Sequence, residues 1–224
     1  TAQTVADSPM PWLVKLPAGF GASRMQRELA ALAIGRIARN DPGAAAAQLQ
    51  RIEDQLQAGE KGWAWSQVGW QAAFRHMDEA LPWFAKAGDA SLSDEVAQWK
   101  VRAALRAQDW GVVRDSIQAM PAELAAKPEW IYWLGRALHA GGRTTEGNAL
   151  YEKIAGQANF YGNLADEELG RTVLPPPKAT AATTEEQRAA RDNPGIRRAL
   201  AFFRNDMRTE AVREWNWALR GMDD

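Results

Sequence analysis

A chain of 224 residues, 46% apolar and 25% charged, has the size and composition of one large or two small globular domains. Its 27 basic and 28 acidic side chains give a net charge of −1, which argues against a nucleic-acid-binding surface. It has no cysteine, which excludes disulfide bonds and thiolate chemistry, and no apolar run approaches the roughly 20 residues that span a membrane.

Residues 1–22 are rich in proline and glycine, and we expect them to form an extended lead-in. The chain begins with Thr1 and not with methionine. Either a signal peptide has been removed ahead of it, or the sequence is part of a longer protein. The residues themselves favour neither of these two explanations.

Residues 23–170 have the apolar spacing of α-helices, and no alternating strand pattern is present. Leu29, Ala33 and Ile37 recur every four residues, for example. The segments VRAALRAQDWGVV and LGRALHAGGRTTEG align with Leu105 on Leu138, which lie 33 residues apart. Pairs of helices that recur at about 34 residues are typical of tetratricopeptide-like repeats, which stack because no pair buries its own apolar face. The sequence therefore predicts an all-α fold, a right-handed α-superhelix of tetratricopeptide-like helical hairpins.

Prolines and glycines indicate where several helices begin and end. Pro42 and Pro128 each follow a polar residue and suit the first turn of a helix, where the missing N–H has no cost. Gly141 and Gly142 suit the end of a helix, where a left-handed residue is preferred. These positions predict one helix from residue 42 and another that spans residues 128 to 140.

Residues 171–193 are predicted to be a proline-rich connector with a short helix, because the run at residues 175–177 cannot be helical. Thr183 and Glu186 have the spacing of a capping box and predict the start of that short helix. From residue 194 the helical pattern returns, and residues 194–224 are predicted to form a further helical hairpin.

The residue types that carry metal or phosphate chemistry are sparse. The only histidines, His76 and His139, lie far apart in the sequence and have no metal-ligand spacing, so we predict no metal and no cofactor. Acidic residues are adjacent at 166–168, but they fall on a polar helical face, and we expect these three carboxylates to be solvated. No residue is assigned a catalytic role.

Aromatic residues suggest two different uses. The chain has 11 tryptophans, and aromatic rings either pack between helices or stack on the faces of sugar rings. Trp130, Tyr132 and Trp133 lie close together near the start of one predicted helix, where they form a possible sugar-stacking platform. Packing is the favoured explanation for most tryptophans, and Trp99, Trp110 and Trp133 are predicted to be buried between helices.

The sequence FYGNLADEELG at residues 160–170 resembles the F-Y-G-x-L-A-x-x-E-L-G run of soluble lytic murein transglycosylases. The preceding helical pairs and the later segment PGIRRALAFFRNDMRTEAVREWNWALRG resemble that family in order and spacing, so that the likeness spans about residues 18–221. By helical spacing, Tyr161, Ala165 and Leu169 share one face of this stretch. Gly162 would admit a neighbouring helix, and Gly170 would end the stretch.

The resemblance implies a periplasmic α-superhelix that acts on peptidoglycan. Members of the family cleave the β-1,4 bond between N-acetylmuramic acid and N-acetylglucosamine and leave a 1,6-anhydro sugar. Their catalytic glutamate belongs to a lysozyme-like domain that follows the superhelix, in a Glu-Ser pair. No glutamate here is followed by serine, so we expect this chain to lack the catalytic machinery.

The first functional hypothesis is therefore a non-catalytic scaffold that shapes a ring for glycan strands. Its expected partners are peptidoglycan glycan strands and a C-terminal lysozyme-like catalytic domain of the parent chain. The candidate glycan-binding residues are Trp130, Tyr132, Trp133, Phe160 and Tyr161. The alternative hypothesis is a tetratricopeptide-like adaptor, which would bind protein segments in its concave groove.

Overall fold

The computed structural model describes residues 2–173, 178 and 180–222, which fall into two compact units divided after residue 174. The prolines at residues 175–177 and the last residue, Asp224, lie outside the described residues. All regular structure in the described residues is helical, which confirms the predicted all-α class. Each unit is described by itself below.

The first unit contains twelve α-helices among its described residues. They are α1 (Ala2–Asp7), α2 (Pro9–Val14), α3 (Arg24–Ala38), α4 (Pro42–Ile52), α5 (Ala58–Phe74), α6 (Ala80–Lys86), α7 (Asp94–Ala107), α8 (Trp110–Gln118), α9 (Ala122–Ala125), α10 (Pro128–Ala140), α11 (Thr144–Tyr151) and α12 (Phe160–Glu168). Two short 3-10 turns lie at Phe20–Ala22 and Glu53–Gln55. Consecutive helices pack as hairpins, and α3, α5, α7, α8 and α10 link each hairpin to the next.

The predicted helix starts and ends are confirmed. Helix α4 begins at Pro42, and the side chain of Asp41 caps it by accepting a hydrogen bond from the N–H of Ala44 at 2.9 Å. Helix α10 begins at Pro128. It ends before Gly142, whose φ of +76° is the left-handed conformation that glycine adopts without strain.

The prediction of an extended lead-in is wrong, because α1 and α2 occupy most of residues 1–22 and pack against α3. Val5 and Leu13 are fully buried in this contact. Pro9 is the first residue of α2, a position where proline favours a helix and does not break one. The burial of these two apolar side chains stabilises helices that are too short to persist alone.

A buried ion pair joins the lead-in to the stack. Arg27 on α3 is 7% exposed and donates to Glu60 on α5 at 2.9 Å, and it also donates to the carbonyl of Gly21 at 2.7 Å. Glu60 in turn accepts from the N–H of Gln57 and so completes a capping box for α5. Both charges of this pair are therefore satisfied, and separating them would leave an unpaired charge in the interior. The pair thereby fixes the register of α3 against α5.

Tryptophan burial differs from the prediction. Trp65 is fully buried and Trp130 is 2% exposed, whereas Trp99, Trp110 and Trp133 are only partly buried. The buried positions of α7 include 101 and 104, which leaves Trp99 at an edge of the helix, and Trp110 is the first residue of α8. Trp99, Trp110 and Trp133 therefore pack against the core as predicted, but they are not fully buried.

The second unit contains α13 (Thr184–Asp192), α14 (Pro194–Arg204) and α15 (Arg208–Ala218). The predicted capping box of α13 is confirmed, since Thr183 and Glu186 exchange backbone and side-chain hydrogen bonds. Helices α14 and α15 form a hairpin around the buried side chains of Ala199 and Ala211. An ion pair between Arg198 and Glu214 at 2.6 Å joins its two helices.

Replacing Trp65 with alanine should lower the free energy of unfolding by about 3–5 kcal/mol, because the change removes a buried ring and leaves a cavity. It also removes the hydrogen bond from the indole N–H to Glu53 at 2.7 Å. Trp63→Ala on the same helix is the matched control, since Trp63 is 38% exposed and should cost less than half as much. Chemical denaturation measures both values, and equal losses would contradict this assignment of burial.

Candidate functional site

Residues 160–170 form a capped helix at the end of the first unit. The side chain of Asn159 accepts from the N–H of Gly162 at 2.9 Å and caps the start of α12. Gly170 follows the helix with a φ of +72°, as its predicted role requires. A side chain at Gly162 would collide with the preceding loop, where Gln157 Cβ would lie at 3.0 Å. Gly162 therefore admits this loop, and not the helix of another hairpin as the sequence suggested.

An aromatic cluster docks α12 onto α10. The ring of Tyr132 lies 5.2 Å from that of Trp133 and 5.7 Å from each of the rings of Tyr151 and Tyr161. Phe160 extends this series by an edge contact with Tyr161 at 5.1 Å. Ring separations of 4.5–7 Å at tilted or edge angles are favourable beyond the burial of area alone. The FYG part of the motif thus supplies one side of the contact between α12 and α10. We call this contact the joint of α12.

A carboxylate completes this joint. Glu168 on α12 accepts from Arg136 on α10 at 2.9 Å and from the hydroxyl of Tyr132 at 3.2 Å. Arg136 also donates to the hydroxyl of Tyr132 at 3.1 Å. Three side chains from two helices therefore satisfy one another at the edge of an apolar cluster, which fixes one angle between α10 and α12.

The expectation that all three acids of α12 are solvated is wrong for Asp166, and Glu168 is exposed but ion-paired. Asp166 is 9% exposed and accepts from the backbone N–H of Gly156 at 2.9 Å, with Arg171 3.9 Å away. Glu168 is paired as described above, whereas Glu167 is exposed and takes no part in the joint. Sequence spacing did not reveal this pairing because the partners lie in the preceding loop and on α10.

Burial changes the proton affinity of two tyrosines in the joint. Removal from water raises the pKa of Tyr132 above its ordinary value, although the nearby guanidinium of Arg136 opposes the shift. Burial also raises the pKa of Tyr151, and the negative charge of Glu168 adds to that shift. Within the described residues, the hydroxyl of Tyr151 is buried and has no hydrogen-bond partner.

The five candidate glycan-binding residues fall into different environments. Trp130 is buried in the core between α7, α8 and α10, apart from the aromatic cluster that contains the other four. Tyr132 is 3% exposed, while Trp133 and Tyr161 are partly buried. Phe160 is 68% exposed. Only Phe160 thus presents most of its ring to solvent.

A groove that sequence reasoning missed lies beside α7, with a volume of about 770 Å³. We call it the Trp99 groove. Its polar lining residues are His76, Asp78, Arg102 and Arg106, and its apolar wall consists of Trp99, Met77, Leu81 and four alanines. Sequence spacing did not indicate this groove, because it forms where α7 lies opposite the α5–α6 loop. This groove and the joint of α12 are the two features from which function can be argued.

No metal site or membrane span is found in the part of the chain that the structure describes. There, no group of three or more histidine, aspartate or glutamate side chains is placed to hold a metal ion. His139 instead contacts Asn148 at 2.9 Å and stacks near Tyr151, so it has a packing role. None of the helices in the same ranges combines the length and the apolar character needed to cross a membrane.

Comparison with known proteins gives one consistent result. No family model matches the chain. The soluble lytic murein transglycosylase of Escherichia coli K12 is 30% identical to it over 158 residues, which are 67% of this chain and 24% of that protein. The chain therefore spans about a quarter of the length of the curated relatives that it matches.

Solved structures agree with this similarity. An inactive variant of lytic transglycosylase Slt from Pseudomonas aeruginosa matches with a TM-score of 0.72 and 28% identity, over 99% of this chain and 37% of that one. The 70 kDa soluble lytic transglycosylase of Escherichia coli matches with a TM-score of 0.65 and 22% identity, over 100% of this chain and 35% of that one. The second match shows a shared fold alone.

Replacing Asp166 with alanine should lower the free energy of unfolding by about 1–2 kcal/mol, because the N–H of Gly156 loses its acceptor. Glu167→Ala is the matched control on the same helix, and it should leave stability unchanged since that carboxylate is exposed. Thermal and urea denaturation compare the two variants. Equal stability of both would mean that the acids of α12 are solvated after all.

Tyr151→Phe should keep or increase stability at neutral pH, because it removes a buried hydroxyl that has no partner among the described residues. The raised pKa of Tyr151 also makes the free energy of unfolding depend on pH. Because this tyrosine ionises near pH 10 in the unfolded chain but only at higher pH in the native protein, the native protein loses stability as the pH rises from about 10. The variant should lose less stability between pH 9 and about 11 than the parent chain. Unfolding measured across that range tests this, and identical pH profiles would contradict it.

Proposed function

The chain is homologous to soluble lytic murein transglycosylases, and from this premise we propose that it is the non-catalytic helical scaffold of such an enzyme. The parent enzyme would cleave the β-1,4 bond between N-acetylmuramic acid and N-acetylglucosamine in peptidoglycan and release a 1,6-anhydro product. The scaffold would help to shape a ring for glycan strands in the periplasm. A lysozyme-like domain, C-terminal in the parent chain, would carry the catalytic glutamate.

The observation that carries this proposal is the joint of α12. The stretch that resembles the family motif, residues 160–170, is also the stretch whose rings and carboxylates fix α12 against α10. Such a joint holds one angle at the end of a helical stack. A scaffold that positions a substrate strand for a separate catalytic domain requires this kind of fixed geometry, because small errors in placement reduce rates strongly.

The carboxylates of the joint support a structural role. A general acid must hold a proton and have access to the leaving oxygen of the substrate. Glu168 accepts from Arg136 and from Tyr132, which is an arrangement for an anion, and Asp166 accepts from a backbone N–H. Both carboxylates therefore already accept hydrogen bonds from groups within the protein. We propose that this chain contributes no catalytic residue.

Glycan contact within the aromatic cluster is proposed to centre on Phe160. Its ring is 68% exposed and lies against Tyr161, so an apolar sugar face could cover both. Trp133 is partly buried at the other end of the cluster. Trp130 and Tyr132 are buried, and their proposed part is to hold the helix that carries the exposed rings.

Incubation of the 224-residue chain with purified murein sacculi tests the proposal. We expect the chain to sediment with the sacculi and to release no 1,6-anhydro-muropeptides detectable by mass spectrometry above a blank. Phe160→Ala should reduce sedimentation, whereas Phe203→Ala, which removes an exposed ring from α14, should not. Anhydro products above the blank would overturn the non-catalytic assignment. A chain that does not sediment at all would favour the protein-binding adaptor.

A further inference from the structure

The Trp99 groove contains two arginines without an anionic partner among the described residues. Within the described residues, neither Arg102 nor Arg106 has a carboxylate within ion-pair distance or a hydrogen-bond acceptor, although eight other ion pairs are formed there. The two side chains lie one turn apart on α7 and line the same groove. The two guanidinium groups outnumber the one carboxylate in the lining, Asp78, so the groove carries an excess positive charge that would attract an anionic group.

Arg102 is held in place by two indole rings. Its guanidinium carbon lies 5.2 Å from the ring centre of Trp99 and 5.3 Å from that of Trp130, which comes from the next hairpin. A guanidinium beside aromatic rings can still donate hydrogen bonds, because its N–H groups point outward in its plane. Arg102 is therefore restrained by two rings while its N–H groups remain able to bind a carboxylate.

The rest of the groove defines what should accompany that carboxylate. Four alanines, with Met77 and Leu81, give an apolar wall, which suits methyl groups. Asp78 and His76 add polar atoms from the α5–α6 loop, where Asp78 can accept from a backbone N–H of a ligand. The chemistry that fits is a short peptide whose terminal carboxylate follows small side chains.

We propose that the Trp99 groove binds the stem peptide of peptidoglycan through its terminal D-alanine carboxylate. The identity of this ligand rests on the proposed function, since a peptidoglycan scaffold meets carboxylates of this kind on every uncleaved stem. The carboxylate contacts Arg102 and Arg106, and the methyl groups lie against the apolar wall. The scaffold then holds the peptide side of the polymer, while the exposed rings near Phe160 meet its sugar.

The test uses diacetyl-L-lysyl-D-alanyl-D-alanine as the probe and its C-terminal amide as the matched ligand without charge. Titrations of the 224-residue chain are followed by the indole N–H signal of Trp99 in ¹H–¹⁵N spectra, assigned with Trp99→Phe. The free acid should shift this signal saturably and bind about five- to tenfold more tightly than the amide, since each exposed charge pair changes affinity about threefold.

Variants identify the residues responsible. Arg102→Gln combined with Arg106→Gln should reduce binding of the acid to the level of the amide. Arg102→Lys alone should bind the acid with an affinity between those of the parent chain and the double variant, because it keeps the charge but not the planar fork. Lys100→Gln is the control, because it removes one charge from the same helix outside the groove. Circular dichroism melting of each variant verifies that the fold is retained.

Three outcomes would overturn the inference: equal affinity for acid and amide, unchanged binding by the double arginine variant, or equal affinity for the L-alanyl-L-alanine isomer. The last result would assign the groove to protein C-termini. If the peptide fails to bind but the chain still sediments with sacculi without lysing them, the inference fails while the proposed scaffold function stands.

Discussion

No hairpin of the first unit can bury its apolar side chains alone. Helix α5 contacts α3, α4, α6 and α7, and α10 contacts α8, α9, α11 and α12, so these inner helices are covered on more than one side. Stability in such a stack comes from contacts between neighbours, and each end must be closed by an element with only one apolar face. Helices α1 and α2 cover the apolar side of α3 at one end of the stack, and α12 covers α10 at the other end.

The two closures use different chemistry. At α3, burial of Val5 and Leu13 is combined with the ion pair of Arg27 and Glu60. At α10, tilted tyrosine rings are combined with the contacts of Glu168. Apolar burial alone tolerates small rotations of a helix, whereas hydrogen bonds to charged groups have a narrow range of distance and angle. The polar contacts therefore add a defined orientation to closures that apolar contact stabilises.

Sequence patterns predicted the features that depend on neighbouring residues. Helix spacing, the helix start at Pro42, the capping box at Thr183 and the end at Gly142 follow from local rules, and they were confirmed. Contacts between distant residues were not predicted, because Glu168 meets Tyr132 across 36 positions and Arg136 across 32. The same limit applies to the Trp99 groove. Trp99 and Arg102 lie one turn apart on α7, but the second ring beside Arg102, that of Trp130, belongs to the next hairpin.

Helix α10 connects the two features from which function was argued. Trp130 and Tyr132 are two positions apart, which places their side chains on nearly opposite faces of an α-helix. Trp130 packs toward α7 and lies beside Arg102, while Tyr132 packs toward α12 and binds Glu168. A rotation of α10 about its axis would disturb both contacts at once, so each of them restrains the other. Arg102 of the groove and the joint of α12 therefore both depend on the orientation of α10.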